Sequence, residues 1–270
     1  MRPALLASAL LAALAIAAPT ARAQDAATRL AHDAVIVDTH IDAPGILMDK
    51  WADLGGEAKD REFDYPKAHA GGLDVAFMSI YTSPKQDDDG SAWQVANAMI
   101  DVVEALAQRH PDRFAVLTSP RDVERLRAGG RVLLPLGMEN GAPLGDRLQN
   151  VQFFFDRGVR YITLAHSANN RIADSSYALQ KQWNGLSPFG REVVREMNRV
   201  GIMVDVSHLG DASAKEAIAL STVPVIASHS AFRHFTPDFE RNISDEIARA
   251  VAAKGGVVQI PFGTAFIDPA

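Results

Sequence analysis

Seven short apolar runs, rich in Val, Ile and Leu and each closed by polar residues, recur along this chain with helical stretches between them; they span 34–38, 73–81, 132–137, 159–164, 201–206, 223–227 and 256–262. Runs that are apolar on both faces suit strands buried between two layers, which is the setting of a parallel sheet. The segments between them carry helix ends. Residues 91–110 read as a helix stopped by Pro111, and Pro120 opens another that ends at Gly129-Gly130. Ser187-Pro188 reads as an N-cap with proline in the first turn, closed by Gly201, and Ser244 caps a stretch that Gly255-Gly256 ends. This alternation predicts a parallel α/β fold. A (β/α)8 barrel of TIM type is the leading architecture and an open doubly wound sheet the second. No glycine-rich nucleotide loop follows the first run, which lowers the second option. The length of 270 residues suits one barrel domain or two small ones. With no linker or repeat, 24–270 is read as a single domain. The acidic stretch 84–90 reads as a solvated loop.

Residues 1–23 have the form of an export signal: Arg2 at the start, an apolar stretch over 5–18, and Ala21-Arg22-Ala23 before a cut. Cleavage before Gln24 is expected, which places the protein in the periplasm or outside the cell. The apolar stretch is too short for a comfortable membrane span, and no later one is long enough. Lys and Arg number 27 against 33 Asp and Glu, a net −6, which argues against a nucleic-acid partner. The chain has no cysteine, so disulfides, thiolate metal sites and a cysteine nucleophile are excluded. Any metal must be held by His, Asp and Glu.

Those residue types fall where the strands end. His40 and Asp42 follow the first run, at a spacing that points both to one side of extended backbone. Glu139 follows the third run, His166 the fourth, His208 the fifth and His229 the sixth. In an α/β barrel these positions converge on the carboxyl face, where active sites sit. Imidazole and carboxylate suit Zn²⁺, with Mn²⁺ or Co²⁺ as alternatives. Two ions bridged by a carboxylate could share a hydroxide and polarise a carbonyl. Any one strand-end histidine is ordinarily structural; recurrence at five strand ends is what carries the reading. His32, His69 and His110 lack this placement and are expected to face solvent. Asp38 and Asp205 precede strand-end ligands and are read as supporting or structural.

The segments Val37-Asp-Thr-His-Ile-Asp42, Gly137-Met-Glu139, 158–166, 185–190, Val204-Asp-Val-Ser-His208, Ser228-His-Ser230, Arg241-Asn242 and 254–258 occur together and in order. In these the chain resembles the membrane (renal) dipeptidase family of metallopeptidases, from about residue 34 onward. The resemblance implies a (β/α)8 barrel with two zinc ions per chain. By it, His40 and Asp42 bind one ion, His208 and His229 the other, and Glu139 bridges them. His166 would contact substrate and stabilise the oxyanion, and Arg233 would grip the substrate's free carboxylate. The implied activity is hydrolysis of dipeptides with a free C-terminus by a metal-bridging hydroxide, and a homodimer is a further implication.

One feature of the family is missing from the sequence. The resemblance implies an eighth strand ending in a proton-shuttling aspartate, and no Asp-Phe-Asp-Gly type segment occurs before Ala270. A barrel without that strand is expected to leave its first and seventh strands as edges, and catalysis is expected to be impaired. Two rival readings are therefore a metal-dependent amidohydrolase acting on lactones or N-acyl substrates, and a protein that binds metal or peptide without turnover.

Overall fold

A computed structural model describes residues 26–268; the segment read as an export signal, 1–23, lies outside them. Among the described residues there are nine strands: β1 (Ile36–Ile41), β2 (Leu73–Tyr81), β3 (Phe114–Val116), β4 (Val132–Leu134), β5 (Leu136–Glu139), β6 (Val159–Thr163), β7 (Met203–Asp205), β8 (Ile226–Ala227) and β9 (Val257–Val258). Every pairing between them is parallel. The alternation also supplies α1 (Ala43–Asp49), α2 (Tyr65–Gly71), α3 (Ala92–Arg109), α4 (Gln149–Asp156), α5 (Pro188–Val200), α6 (Asp211–Leu220) and α7 (Asp245–Ala253). No helix among the described residues is long and apolar enough to cross a membrane.

The third expected run is split by Pro135. Proline cannot donate to the ladder, but its carbonyl accepts from Met78 N at 2.8 Å and keeps the chain beside β2. β4 thus lies between β3 and β2, and β5 lies between β2 and β6. β3 was not expected. It is three residues long, and a buried Phe114 pairs with Val132. The last three strands are only two or three residues each, shorter than their apolar runs. The acidic stretch is not a loop: Pro84–Asp88 is a helical turn under a capping box of Ser83 and Gln86. His110 does not face solvent either, because its Nε2 lies 2.6 Å from Asp53 Oδ1.

The capping signals act as expected. Ser187 Oγ accepts from Gly190 N and Ser244 Oγ from Ile247 N, and Gly201 ends α5 at φ 96°. Inward faces of α3 (Ile100, Val103, Leu106), α5 (Val193, Val194, Met197) and α7 (Ile247, Val251) pack with Leu134, Leu136, Met138, Ile162 and Val204 in one core. Each such side chain, fully buried, contributes roughly 1.5–3 kcal/mol.

The sheet curls. Thr39 Oγ1 of β1 reaches across to Ser228 O (2.5 Å) and Gln259 Oε1 (2.9 Å). Yet among the described residues β1 pairs only with β2, and β9 only with β8. Among the described residues the sheet is therefore open between these two edges.

Candidate metal centre

The carboxyl ends of β1, β5, β6, β7 and β8 deliver five of the six expected ligand-type residues into one cluster around Glu139. This carboxylate is buried, its side chain 5% exposed. Oε1 meets His208 Nε2 at 3.0 Å, His229 Nε2 at 3.1 Å and His166 Nε2 at 3.4 Å. Oε2 meets His40 Nε2 at 3.4 Å and accepts from Ser79 Oγ at 3.3 Å. The two oxygens thus face different imidazoles, as a bridging carboxylate must. Two sets of three donors are close enough to hold an ion: His40, Glu139 and His229, and Glu139, His166 and His208. The sets share Glu139 but group the histidines differently from the sequence expectation.

Asp42 stands at the rim. Its side chain is 65% exposed and lies 3.3 Å from His40 Nε2. It is the N-cap of α1 but makes no cap bond, so its carboxylate is left free for the cluster side.

Backbone geometry supports the arrangement. Asn140 (φ 77°) and His208 (φ 66°) are left-handed non-glycine residues, a conformation that costs roughly 1–2 kcal/mol. Asn140 offsets this by tying three strand ends together: its amide donates to Thr82 O (2.9 Å) and its carbonyl accepts from Asn170 (2.9 Å). Tyr161 reaches from β6 to β1, donating to Thr39 O at 3.0 Å with His40 Nδ1 also at 3.0 Å. A Cβ on Gly137 would lie 2.0 Å from the Tyr161 ring, so the neighbouring strand must carry glycine there.

The charges follow from burial and proximity. Burial alone would keep Glu139 protonated, but His40 and the hydrogen bonds of His166, His208 and His229 hold its carboxyl well below the usual range. Burial likewise opposes a charge on His40, yet Glu139 and Asp42 outweigh it and push that ring up to about 10. Burial lowers His208 to about 3, with Arg241 adding to the effect. Burial, then the charge of His40, lowers His229 to about 3. His208 and His229 are thus neutral beside an ionised carboxylate, the donor state that a divalent ion requires, whereas His40 would have to give up its proton to bind one.

A cavity of about 890 Å³ opens over the cluster, lined by His40, Asp42, Glu139, His166, His208 and His229 together with Tyr81, Tyr177 and Arg241. Arg233, expected to grip a substrate carboxylate, is not there. Both its Nη atoms are locked on Asp211 (2.6 and 2.9 Å), and Nε donates to Asn242 O (3.0 Å). The cation at the cavity is Arg241, 3% exposed, which donates to His229 O (2.6 Å) and Ser230 Oγ (2.7 Å). Its Nε has no partner among the described residues. Spacing misled because the chain after His229 makes a loop and returns. Ile243 N bonds Ala231 O, and Asn242 Oδ1 accepts from Ala231 N, both at 3.0 Å, so residue 241 ends up closer to the site than residue 233. Arg241-Asn242 lies in a segment that carried the resemblance, and that was the available signal.

The family model described as "Membrane dipeptidase (Peptidase family M19)" matches residues 24–270. The chain belongs to the membrane dipeptidase family. It is 32% identical over 206 residues to dipeptidase tcpJ of Claviceps purpurea, covering 74% of this chain and 48% of that one. The fold resembles the probable dipeptidase PvdM of Pseudomonas aeruginosa, with TM-score 0.79 and 28% identity over 90% of this chain and 64% of that one. It also resembles a Rhodobacter sphaeroides metallo peptidase solved with a phosphinate mimic of L-Ala-D-Ala, with TM-score 0.76 and 25% identity over 87% of this chain and 75% of that one. The chain spans about half the length of curated relatives such as tcpJ and dipeptidase 3 of Rattus norvegicus.

Proposed function

We propose that this protein is a zinc-dependent dipeptidase, exported from the cell, acting on short peptides with a free C-terminus. The observation that carries the reading is Glu139, whose two oxygens face separate imidazole groups at the floor of one cavity. Family membership and the dipeptidase names of the relatives support the substrate class. The form of residues 1–23 supports export.

The donor set fits Zn²⁺: imidazole nitrogen and carboxylate oxygen, with no thiolate in the chain. His40, Asp42, Glu139, His208 and His229 would hold two ions, which when bound acidify a water and polarise a carbonyl. The chain's own residues hold the substrate and its developing charge. Arg241 takes the substrate carboxylate, the role first read onto Arg233, and its unpartnered Nε leaves donor capacity for that contact. His166, 19% exposed at the cavity wall, directs Nε2 into the cluster and donates to the oxygen that becomes negative. Tyr81 packs on the His166 ring, centroids 4.6 Å apart, and fixes its angle.

The test is metal content and hydrolysis on one preparation. Zinc should co-purify, and unblocked glycyl dipeptides should be cleaved in preference to N-acyl dipeptides and lactones. Zinc at about a hundred times its dissociation constant should stabilise the fold by ~2.7 kcal/mol, reversed by chelation. Glu139→Gln should abolish that stabilisation. Turnover confined to lactones would replace the dipeptidase with the amidohydrolase reading, and a fold indifferent to zinc would refute the metal site.

A further inference from the structure

His229 is held from behind by a buried relay that the proposed mechanism does not use. Its Nδ1 lies 2.8 Å from Ser228 Oγ, and Ser228 Oγ lies 2.6 Å from Asp205 Oδ2. Asp205 is fully buried. Its carboxylate also accepts from Thr163 Oγ1 (2.5 Å), Ser207 N (3.1 Å) and Ser228 N (2.9 Å). No cation is among these partners. A carboxylate so placed belongs to hydrogen bonding, not to an ion pair.

Proton counting then places a proton on Nδ1. Ser228 has one hydroxyl proton and two neighbours that could take it. A carboxylate can only accept, and two oxygens cannot face each other at 2.6 Å lone pair to lone pair. The proton therefore lies between Ser228 and Asp205, and Ser228 Oγ is left as an acceptor toward His229. His229 must supply the proton of that second bond from Nδ1. Where an ion takes the place of any proton on Nε2, the ring is left as the Nδ1-protonated tautomer, and Nε2 is the atom 3.1 Å from Glu139 Oε1 and 2.8 Å from His208 Nε2.

We propose that Asp205, acting through the Ser228 hydroxyl, is a positioning residue that fixes His229 as the Nδ1-protonated tautomer with Nε2 turned into the cluster. Partners behind a ligating imidazole set its tautomer and orientation, and losing them typically costs 10–100-fold in metal affinity. The inference rests on the metal site proposed above. The backbone serves the same end. Ser207 Oγ accepts from His229 N at 3.1 Å, and Ser228 N is itself one of the donors to Asp205, so strand ends β7 and β8 are clamped where the ring leaves the chain.

The experiment uses the full chain with ¹⁵N-labelled histidine, loaded with zinc, at about pH 8, where an ordinary imidazole is neutral. Long-range proton–nitrogen spectra should show His229 with a proton on Nδ1 and none on Nε2. Ser228→Ala should move that Nδ1 proton upfield, because its hydrogen bond is lost. Competition with a fluorescent zinc chelator should give a zinc affinity 10–100-fold weaker for Ser228→Ala and for Asp205→Asn. The proposal is overturned if native His229 carries its proton on Nε2, or if folded Ser228→Ala binds zinc within twofold of the native chain. Should both variants fail to fold, the native spectrum alone decides. Neither readout involves turnover, so an inactive enzyme would count against the dipeptidase reading and not against this one.

Discussion

At the scale of single residues, two arginines separated by eight positions do different work. Arg233 has its guanidinium committed to Asp211 and to backbone carbonyls of Glu240 and Asn242. Arg241 is buried at the cavity with an unpartnered Nε. Arg241→Ala should therefore lower kcat/KM for an unblocked dipeptide by about 100-fold, ~2.7 kcal/mol, mostly through KM. A dipeptide amide, which has no carboxylate to grip, should lose far less. Arg233→Ala should lower the melting temperature and leave KM near native. An equal penalty on the acid and the amide would remove Arg241 from the carboxylate role. The residue types of the site were legible because chemistry narrows them: without cysteine, only His, Asp and Glu could serve. Which arginine faces the cavity was not legible, since the return of the loop after His229 depends on tertiary bonds such as Asn242 to Ala231.

At the scale of elements, the sequence was clearest where a local rule acts alone. Ser187, Gly201 and Ser244 end their helices as their side chains and φ preferences require. It was least clear where packing decides: β3 exists because Phe114 pairs with Val132, and a three-residue strand leaves no pattern of its own. The cap of α2 shows how one residue ties such pieces down. Asp64 is fully buried and accepts from Lys67 N (2.8 Å), Ala58 N (2.9 Å) and Lys67 Nζ (2.5 Å). Burial would raise its carboxyl, but the Lys67 ammonium and the two backbone bonds outweigh burial and hold it below the usual range. A depressed folded value means stability present above the unfolded value of about 3.9 and lost as pH falls through the folded one. Asp64→Asn should cost about 1–2 kcal/mol near neutrality. Urea midpoints of the two proteins should converge below about pH 4. A gap between them that persists unchanged into acid would show that Asp64 acts through packing and not through its charge.

At the scale of the whole molecule, the fold places chemistry and exposure on the same seam. The cluster draws His40 from β1 and His229 from the end of β8, and their rings stack with centroids 3.7 Å apart. Among the described residues Thr39 bridges the seam by hydrogen bond, to Ser228 and Gln259. The rest of the two edges offers unpaired backbone and apolar side chains: Val35 and Val37 on one, Val257, Ile260 and Phe262 on the other, the last 96% exposed. Parallel edges with apolar flanks are templates for further pairing. The 270-residue chain should therefore associate as its concentration rises, and sedimentation velocity should show this in the micromolar range. Val37→Lys with Val257→Lys puts like charges on both edges and should hold the chain monomeric without touching Glu139 or any imidazole of the cluster. Because the metal ligands lie at the carboxyl ends of the strands, zinc affinity in that double variant should stay within a few-fold of native. If the native chain is monomeric at all concentrations, the seam is closed in solution by contacts of its own. If the variant stops associating but also loses zinc, then the edges hold the metal site in shape, and pairing and metal binding are one equilibrium.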